Sequence, residues 1–344
     1  MSKKFLHRIF IISLLIGGFG AALLIVAYNS FYGTAIEEEF SIYVTKSTTY
    51  DDLRDKIKVG IGESGLKFAA FGLYASHIDL ENRFGEGHYR FTKDMNVIRI
   101  ARILALKEQT PIKLVVGGAR TIPQLAAKLS RQIAADSAEI VATLYNRDIR
   151  AAHGYVRDSI MEMFIPNTYE VYWTISPEQL LQRMHREYDA FWNEVRDNKR
   201  KALKMSRYEV MTLASIVYEE TKAVDEMARI AGVYINRLRK GMPLQADPTV
   251  KYALQDFGLK RILRRHLRYK SPHNTYVNKG LPPSPICIPS IAAIDAVLNY
   301  ENHNYIFFCA RPEFDGRHNF ARTLREHNAN ARAYSAALNK LKIK

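Results

Sequence analysis

One carboxylate lies on the apolar side of a predicted helix. In the segment YEVMTLASIVYEETK, Leu213, Ile216 and Val217 stand at i, i+3 and i+4, the spacing of a buried helical stripe. The next position of that stripe is Glu220. Because loss of water raises the pKa of a carboxyl group, the spacing predicts Glu220 as a general acid, with a purely structural buried glutamate as the alternative. Glu219, turned about 100° away, is predicted to face solvent.

The other reactive residue types form no recognisable site in the sequence. No H-E-x-x-H, no G-x-S-x-G and no phosphate-binding glycine loop is present, so neither a metal site nor a cofactor is predicted. Cys287 and Cys309 are too few for a disulfide framework, and one bridge or two buried thiols are equally open. The sequence therefore leaves two possibilities for this protein, general acid and base catalysis or no catalysis.

The helices that would position Glu220 have readable ends. Ser206 and Glu209 form a capping box, which predicts a helix from Arg207 to about Thr221. Asp225 is predicted to cap the next helix, residues 226–240, before Gly241. Further along, the patterns predict a short helix after MPLQADPTV, a helix over 290–298 and a strand in YIFFCA.

Upstream patterns predict a small α+β module and then a mostly helical region. The module contains a strand at 40–44, a capped helix after it, a turn and strand at 85–91, a helix at 95–106 and a strand at 112–116. The helical region, 122–191, is interrupted by the loop MFIPNTYEVYWTISP. Its aromatic residues Tyr169, Tyr172 and Trp173 fit either the edge of a core or a surface on which sugar rings stack.

A long uncharged segment stands near the start of the chain. The 19 residues from Ile9 to Ala27 would be roughly 29 Å long as a helix, close to the thickness of a bilayer core. Basic residues precede this segment at positions 3, 4 and 8, and glutamates follow it at 37–39. The positive-inside rule therefore predicts a single-pass anchor with a cytoplasmic N-terminus, in preference to a cleaved signal peptide.

The composition fits a folded, exported protein. With 47% hydrophobic and 25% charged residues, the 344-residue chain is neither disordered nor fibrous, and its length suggests about two domains. Its net charge of +15 attracts polyanions, and the basic stretch from Lys260 to Lys270 is either a solvated face or a polyanion site. Because the predicted topology places the body of the protein away from chromosomal DNA, nucleic acid is not an expected partner.

Four segments, in this order, closely resemble the endolytic murein transglycosylase family, the YceG-like group. They are LASIVYEET (213–221), INRLRKGMPLQADPTV (235–250), SPHNTYVNKGLPPSPI (271–286) and DGRHNFARTLREHN (315–328). The resemblance implies an α+β protein with five successive parts. These are a cytoplasmic N-terminus (1–8), a transmembrane helix (9–28), a LysM-like α+β module with its tether (29–118), a helical connector (119–163) and a mixed α+β catalytic domain (164–344).

The resemblance also implies an activity. Members of this family are single-pass inner-membrane lyases that cut nascent peptidoglycan strands internally, on the periplasmic side, and so terminate strand elongation. The catalytic glutamate of their motif A-S-I-x-x-x-E-T falls on Glu220 here, the residue that the apolar stripe indicates independently. Glycan strands are then the substrate, no cofactor is required, and peptidoglycan synthases are candidate partners.

A lytic transglycosylase needs one carboxylate, which protonates the bond between N-acetylmuramic acid and N-acetylglucosamine and then removes the proton from the 6-hydroxyl. The candidates for holding the sugar are polar residues of the motif loops, each of which also has an ordinary structural interpretation as a cap, turn or core residue. These candidates are Gln245, Asp247, Asn274 and Tyr276, with Tyr169 as a stacking wall.

Two alternatives keep the same fold but change the function. A muramidase would need a second carboxylate, for which Glu170 and Asp247 are the candidates. A non-catalytic scaffold would bind the cell wall through the LysM-like module, with Glu220 structural. The chain also departs from the family pattern at Tyr218, where many members have Glu, and at Ser284, where the loop usually has Gly.

Overall fold

The computed structural model describes residues 3–62, 65–152, 154, 157–259 and 261–340. Lys260, the first residue of the predicted basic stretch, lies outside this described part, as do residues 1–2 and 341–344 at the ends of the predicted domains. The chain is an α+β protein, as predicted, and it divides into two compact units. One unit is Met1–Lys113 with Glu170–Ile175, and the other is Leu114–Tyr169 with Ser176–Lys344. The predicted domain boundaries at 118 and 163 stay predictions.

The first unit begins with a long apolar helix, α1 (Lys3–Tyr32). An 18-residue stretch within its segment Phe5–Tyr32 has a mean hydropathy of 2.7, the segment is long and apolar enough to cross a membrane, and its apolar side chains are exposed. This segment includes the predicted span from Ile9 to Ala27. By length and composition, α1 is therefore consistent with a membrane anchor.

The rest of the first unit packs around a two-stranded sheet. Strand β1 (Phe40–Val44) pairs antiparallel with β2 (Gly87–Phe91), so that Phe40 lies opposite Phe91. The helices of this unit follow the chain in the order α2 (Tyr50–Ile61), α3 (Gly65–His77), α4 (Leu80–Arg83) and α5 (Val97–Ala105). Their inner faces form one apolar core with the sheet. Thr49 caps α2 and Asn96 caps α5, in agreement with the predicted strands, cap and helix.

The second unit is mainly helical. Its described elements are β3 (Ile112–Val116), α6 (Ile122–Leu129), α7 (Ser137–Tyr145), α8 (Arg147–Ala152), a 3-10 helix (Arg157–Met163), β4 (Asn167–Val171), α9 (Pro177–Phe191), α10 (Glu194–Ala202), α11 (Arg207–Glu220), α12 (Val224–Arg239), α13 (Asp247–Leu254), α14 (Arg264–Leu267), α15 (Ile291–Leu298), β5 (Phe307–Ala310), β6 (His318–Ala321) and α16 (Leu324–Lys340). β3 pairs with β4, and β5 pairs antiparallel with β6. Both β3 and β4 continue by a few residues into the segments assigned to the first unit.

Helix α11 is the centre of this unit. It packs against α12, α13 and α15, and all eight residues from Val210 to Val217 are buried. The predicted capping box of Ser206 and Glu209 forms, and the helix ends at Glu220, one residue before the predicted end. The middle of α11 is therefore enclosed on every side rather than along one stripe, and its last three residues are still partly buried.

Several predictions about this unit were wrong or incomplete. Asp225 does not cap α12, because the helix begins one residue earlier, at Val224, with Ala223 at the cap position. The carboxylate of Asp225 instead forms an ion pair with Arg317 at 2.8 Å. Strand β4 lies in the segment predicted to be a loop, and β6 and α16 were not predicted. Cys287 and Cys309 are free thiols, so they do not form the bridge, and of the two only Cys287 is the buried thiol of the second alternative, because Cys309 is partly exposed.

Candidate active site

The carboxyl group of Glu220 lies at the end of α11 and contacts α12. Its Oε1 accepts a 2.6 Å hydrogen bond from the hydroxyl of Tyr234, whose side chain is buried. Burial raises the pKa of Glu220 from 4.5 to about 7, and the negative charge of Asp247 acts in the same direction. The negative end of the helix dipole at the C-terminus of α11 also disfavours the carboxylate. A group with this pKa can both give and take a proton near neutral pH.

Tyr234 determines which oxygen of Glu220 is available. Burial and the neighbouring Glu220 charge raise the pKa of Tyr234 well above its usual value, so the phenol stays protonated and donates. In the part of the chain that the structure describes, the Glu220 side chain has no second hydrogen-bond donor. Oε1 is therefore occupied by Tyr234, and Oε2 is left to carry the exchangeable proton.

A second carboxylate, Asp247, lies close enough to act on Glu220. It is the first residue of α13, and its Oδ1 accepts a 2.6 Å hydrogen bond from the hydroxyl of Tyr276. Burial and this hydrogen bond raise the pKa of Tyr276, which keeps it a donor. Asp247 itself is exposed. The site thus contains two tyrosine and carboxylate pairs, one largely buried and one open to solvent.

Two turns of the motif segments are joined by their threonines and hold these residues in place. The hydroxyl groups of Thr249 and Thr275 are 2.9 Å apart, and the amide of Ala246 donates to Thr275 Oγ1 at 3.0 Å. The amide of Gln245 donates to the carbonyl of Thr275 at 3.1 Å. Because both threonines are buried, the turn that carries Asp247 and the loop that carries Tyr276 are fixed to each other.

Arg237 fixes the same turn from the side of α12. It lies one helical turn after Tyr234, and its guanidinium donates to the carbonyl groups of Leu244 at 2.7 Å and Ile306 at 2.6 Å. A longer contact of 3.4 Å reaches Oε1 of Gln245. Gln245 is exposed and has a positive φ of 51°. Arg237 is almost fully buried, so its main effect is to set the backbone that presents Gln245 and Asp247.

The loop over 271–286 is tied to α11, and Ser284 fits within it. The Oγ of Ser215, on α11, accepts a 3.0 Å hydrogen bond from the backbone amide of Ile286. The hydroxyl of Tyr208, on the same helix, donates a hydrogen bond to the carbonyl of Pro283. Ser284 is buried, with its hydroxyl 2.7 Å from Nε2 of His273, and its φ is not positive. The backbone at this position therefore does not require the glycine that is usual in the resembling family.

The structure brings together Glu220, Gln245, Asp247 and Tyr276, but it gives the other two predicted residues structural surroundings. The amide of Asn274 is fully buried and donates to the carbonyl groups of Leu267 and Tyr269, at 3.1 and 2.8 Å. Tyr169 is 4% exposed, and its hydroxyl donates to the carbonyl of Ile165 at 2.7 Å. Asn274 therefore shapes the loop, and Tyr169 lacks the open ring face that stacking on a sugar needs.

The expectation that Glu219 faces solvent was wrong. Its side chain is only 16% exposed and forms an ion pair at 2.8 Å with Arg120. The prediction failed because the side of α11 that lies about 100° from Glu220 is also covered, by the segment that carries Arg120. Glu170, a candidate second carboxylate, is exposed on β4. The described residues include no cluster of three or more His, Cys, Asp or Glu side chains that could hold a metal ion.

The comparisons with known proteins agree with one another. The model of the YceG-like family matches residues 42–333. The endolytic murein transglycosylase of Bacillus subtilis is 32% identical over 197 residues, which are 57% of this chain and 52% of the relative. That of Streptococcus pneumoniae serotype 2 is 25% identical over 307 residues, which are 79% of this chain and 54% of the relative. The chain thus spans about half the length of the curated relatives it matches.

A solved structure is similar as well. The crystal structure of a YceG-like protein from Listeria monocytogenes superposes with a TM-score of 0.59 at 27% identity. The match covers 85% of this chain and 99% of that one. The fold is therefore shared over nearly the whole of the solved protein.

Proposed function

The chain belongs to the YceG-like family, and from that premise we propose that it is a membrane-anchored endolytic lytic transglycosylase in which Glu220 is the single acid and base that cuts peptidoglycan strands. The family model covers most of the chain, and the curated relatives carry the name endolytic murein transglycosylase.

Glu220 carries the proposal because its surroundings match the chemistry. With a pKa raised to about 7, a substantial fraction of the carboxyl groups is protonated at neutral pH. Oε2 can then give its proton to the glycosidic oxygen between N-acetylmuramic acid and N-acetylglucosamine. As the bond from C1 to that oxygen breaks, the substrate's own acetamido group stabilises the positive charge that develops at C1.

The second half of the reaction uses the same residue in reverse. Glu220, now a carboxylate, takes the proton from the 6-hydroxyl of the muramic residue, and O6 attacks C1 to close the 1,6-anhydro ring. No water is consumed, and Glu220 is protonated again at the end. The hydrogen bond from Tyr234 supports the charged intermediate state, and burial supports the protonated one.

We assign separate roles to the surrounding residues. Gln245 and Asp247 are exposed near Glu220 and are proposed to hold the sugar, with Tyr276 fixing the Asp247 carboxylate. Asn274 is a positioning residue, since its amide is used entirely within its own loop. A direct sugar contact is not proposed for Asn274 or Tyr169.

A muramidase is the second candidate function, and the position of Asp247 near Glu220 is the observation that favours it. Hydrolysis of the same bond needs a second carboxylate to activate water, and Asp247 is exposed and acts electrostatically on Glu220. Glu170 has no comparable link to Glu220 in the described structure. The two reactions differ in their products, because hydrolysis leaves a reducing end and transglycosylation leaves an anhydro end.

The proposed setting is the inner membrane. Helix α1 would be the single-pass anchor, with the N-terminus in the cytoplasm and the catalytic unit in the periplasm, where it meets nascent strands and terminates their elongation. The LysM-like module would add binding of glycan, and peptidoglycan synthases remain candidate partners. A scaffold that only binds the wall would keep this placement without chemistry at Glu220.

Mass spectrometry of the products tests the proposal. The full chain in detergent micelles is incubated with uncrosslinked glycan strands, alongside Glu220→Gln and the matched control Glu194→Gln, which removes an exposed carboxylate on α10. We expect internal fragments with anhydromuramic ends from the wild type and the control, and none from Glu220→Gln. Reducing ends would instead establish a muramidase, and intact strands with all three proteins would favour the scaffold.

A further inference from the structure

A small polar pocket lies beside the proposed catalytic residues. Its wall contains Arg120, Glu219 and Lys251, together with the rings of Tyr252 and Phe257. Glu219 directly precedes Glu220 on α11, and Lys251 lies one helical turn after Asp247 on α13. The pocket is therefore bounded by the neighbours of both carboxylates of the site.

Arg120 is held in the pocket wall by two partners. Its Nη2 forms the 2.8 Å ion pair with Glu219, and its guanidinium lies 5.2 Å from the centre of the Phe257 ring. Its backbone amide donates to Oε1 of Gln124 at 3.1 Å. Because Glu219 uses one edge of the guanidinium, other donors of the same group remain for a ligand.

Lys251 is the cation of the pocket that has no partner. It is half-buried, and within the described residues its ammonium forms no hydrogen bond and no ion pair. Its charge nevertheless acts on Glu220, lowering the pKa of that carboxyl group, so it lies near the reacting atoms. A lysine that lines a pocket without forming a hydrogen bond or an ion pair there has its N–H donors available to an anionic ligand.

We propose that this pocket binds one carboxylate of the muramoyl part of the substrate, with Lys251 as its main ligand and Arg120 as the second. Among the residues that line the pocket, Arg120 and Lys251 are cationic and Glu219 is the one carboxylate, so the lining itself favours an anionic ligand. The inference rests on the proposed function, because it assumes a glycan that contains muramic acid. The carboxylate is that of the lactyl group in peptide-free strands or one of the stem peptide, and the same chemistry recognises both.

Binding is measured by calorimetry on the full chain in detergent micelles, with Glu220→Gln as the background. This background prevents turnover and removes any influence that Lys251 has through the charge of Glu220. Three ligands of equal glycan length are compared: an N-acetylglucosamine oligomer without carboxylates, a peptide-free strand with lactyl carboxylates, and the same strand with stem peptides. Each is titrated into the background protein and into its Lys251→Gln, Lys251→Arg and Lys201→Gln derivatives.

We expect at least one of the two carboxylate-bearing strands to bind about 3- to 30-fold more tightly than the neutral oligomer, the effect of one charge-assisted hydrogen bond at a half-buried site. Lys251→Gln should abolish this difference and Lys251→Arg should retain part of it. Lys201→Gln, which removes an exposed charge on α10, should leave it unchanged, so that general attraction by the basic chain is excluded. A preference confined to strands with stem peptides would identify the stem carboxylate as the ligand.

Two results would overturn the inference, and they differ in what they say of the enzyme. Equal binding of all three ligands, or a difference that persists in Lys251→Gln, would reject the carboxylate site and leave the transglycosylase proposal intact. Failure of the background protein to bind any of the three glycans would reject both.

Discussion

The hydroxyl of Tyr234 donates a 2.6 Å hydrogen bond to Oε1 of Glu220, which joins the last residue of α11 to the buried face of α12. This bond favours the carboxylate, whereas burial favours the carboxylic acid, and the balance leaves the pKa of Glu220 at about 7. A residue that must first give and then take a proton needs a pKa of this kind. Changes to either side of the balance should therefore appear in the pH dependence of the reaction.

Tyr234→Phe removes the donor and leaves the ring. Because a hydrogen bond to the carboxylate lowers its pKa, the variant should have a higher Glu220 pKa, and the alkaline limb of kcat/KM, near pH 7 in the wild type, should move to higher pH. We also expect a loss of about 10- to 100-fold at the optimum, the effect of one hydrogen bond to a charged group. A pH profile of strand cleavage measures both. An unchanged limb would mean that Tyr234 does not act through Glu220.

Asp247→Asn should move the same limb in the opposite direction. The negative charge of Asp247 raises the pKa of Glu220, so neutralising it should lower that pKa and shift the alkaline limb to lower pH. Tyr276→Phe is the matched control, since it removes the hydrogen bond to Asp247 but keeps the charge, and its limb should stay near that of the wild type. If both variants move the limb equally, the loop geometry and not the charge sets the pKa.

How much of this site the sequence predicts depends on the kind of residue. Glu220 could be predicted because a carboxylate interrupts an apolar stripe. The turns that carry Asp247 and Tyr276 could be predicted because their segments match specific sequence motifs. Tyr234 and Arg237 were missed, although both lie on the buried face of a predicted helix, where a tyrosine hydroxyl and a guanidinium need partners. Their partners come from other parts of the chain, at Glu220 and at residues 244 and 306, and local spacing carries no information about them.

The same distinction applies to the fold. The capped helices α2, α5, α9 and α11 and the strands β1 to β3 follow from local patterns, and the ends predicted for α5, α11 and the three strands agree with the structure to within a few residues. Strand β4 depends on pairing with β3, which lies far away along the chain, and β6, only four residues long, depends on pairing with β5. Helix α16 has no fully buried residue, so its apolar pattern is weak. Asp225 resembles a cap in sequence, but it lies inside the first turn of α12 and its carboxylate pairs with Arg317, far along the chain.

A buried glutamate far from the proposed chemistry should make stability depend on pH. Glu162 is 8% exposed, its Oε2 has no hydrogen-bond partner among the described residues, and burial raises its pKa from 4.5 to about 7. Between these two values the folded chain binds more protons than the unfolded chain. Stability from this group is therefore complete below pH 4.5 and is lost as the pH rises through 7.

Glu162→Gln removes this dependence because the amide stays neutral. The variant should match the wild type near pH 4.5 and be more stable by up to about 3 kcal/mol at pH 8. Denaturant unfolding at both pH values measures the difference, with Glu194→Gln as the exposed control that should show none. A constant difference across the pH range would show that packing, and not ionisation, distinguishes the two side chains.

Gly232 of α12 tests how closely the helix that carries Tyr234 must approach the chain beyond α15. A Cβ atom at Gly232 would lie 2.4 Å from the carbonyl oxygen of Glu301 and 2.7 Å from Nε2 of His303, so one of these segments would have to move. Gly232→Ala should cost about 1–3 kcal/mol in the free energy of unfolding. It should also lower cleavage activity, because Tyr234 is two residues away on the displaced helix.

Gly72→Ala on α3 is the matched control for Gly232→Ala. Its Cβ would meet nothing within 4 Å, and removing a helical glycine should be neutral or stabilising by up to about 1 kcal/mol. Equal stability of the two variants in denaturant unfolding would show that α12 can shift freely and that its contact with Glu301 does not hold Tyr234 against Glu220.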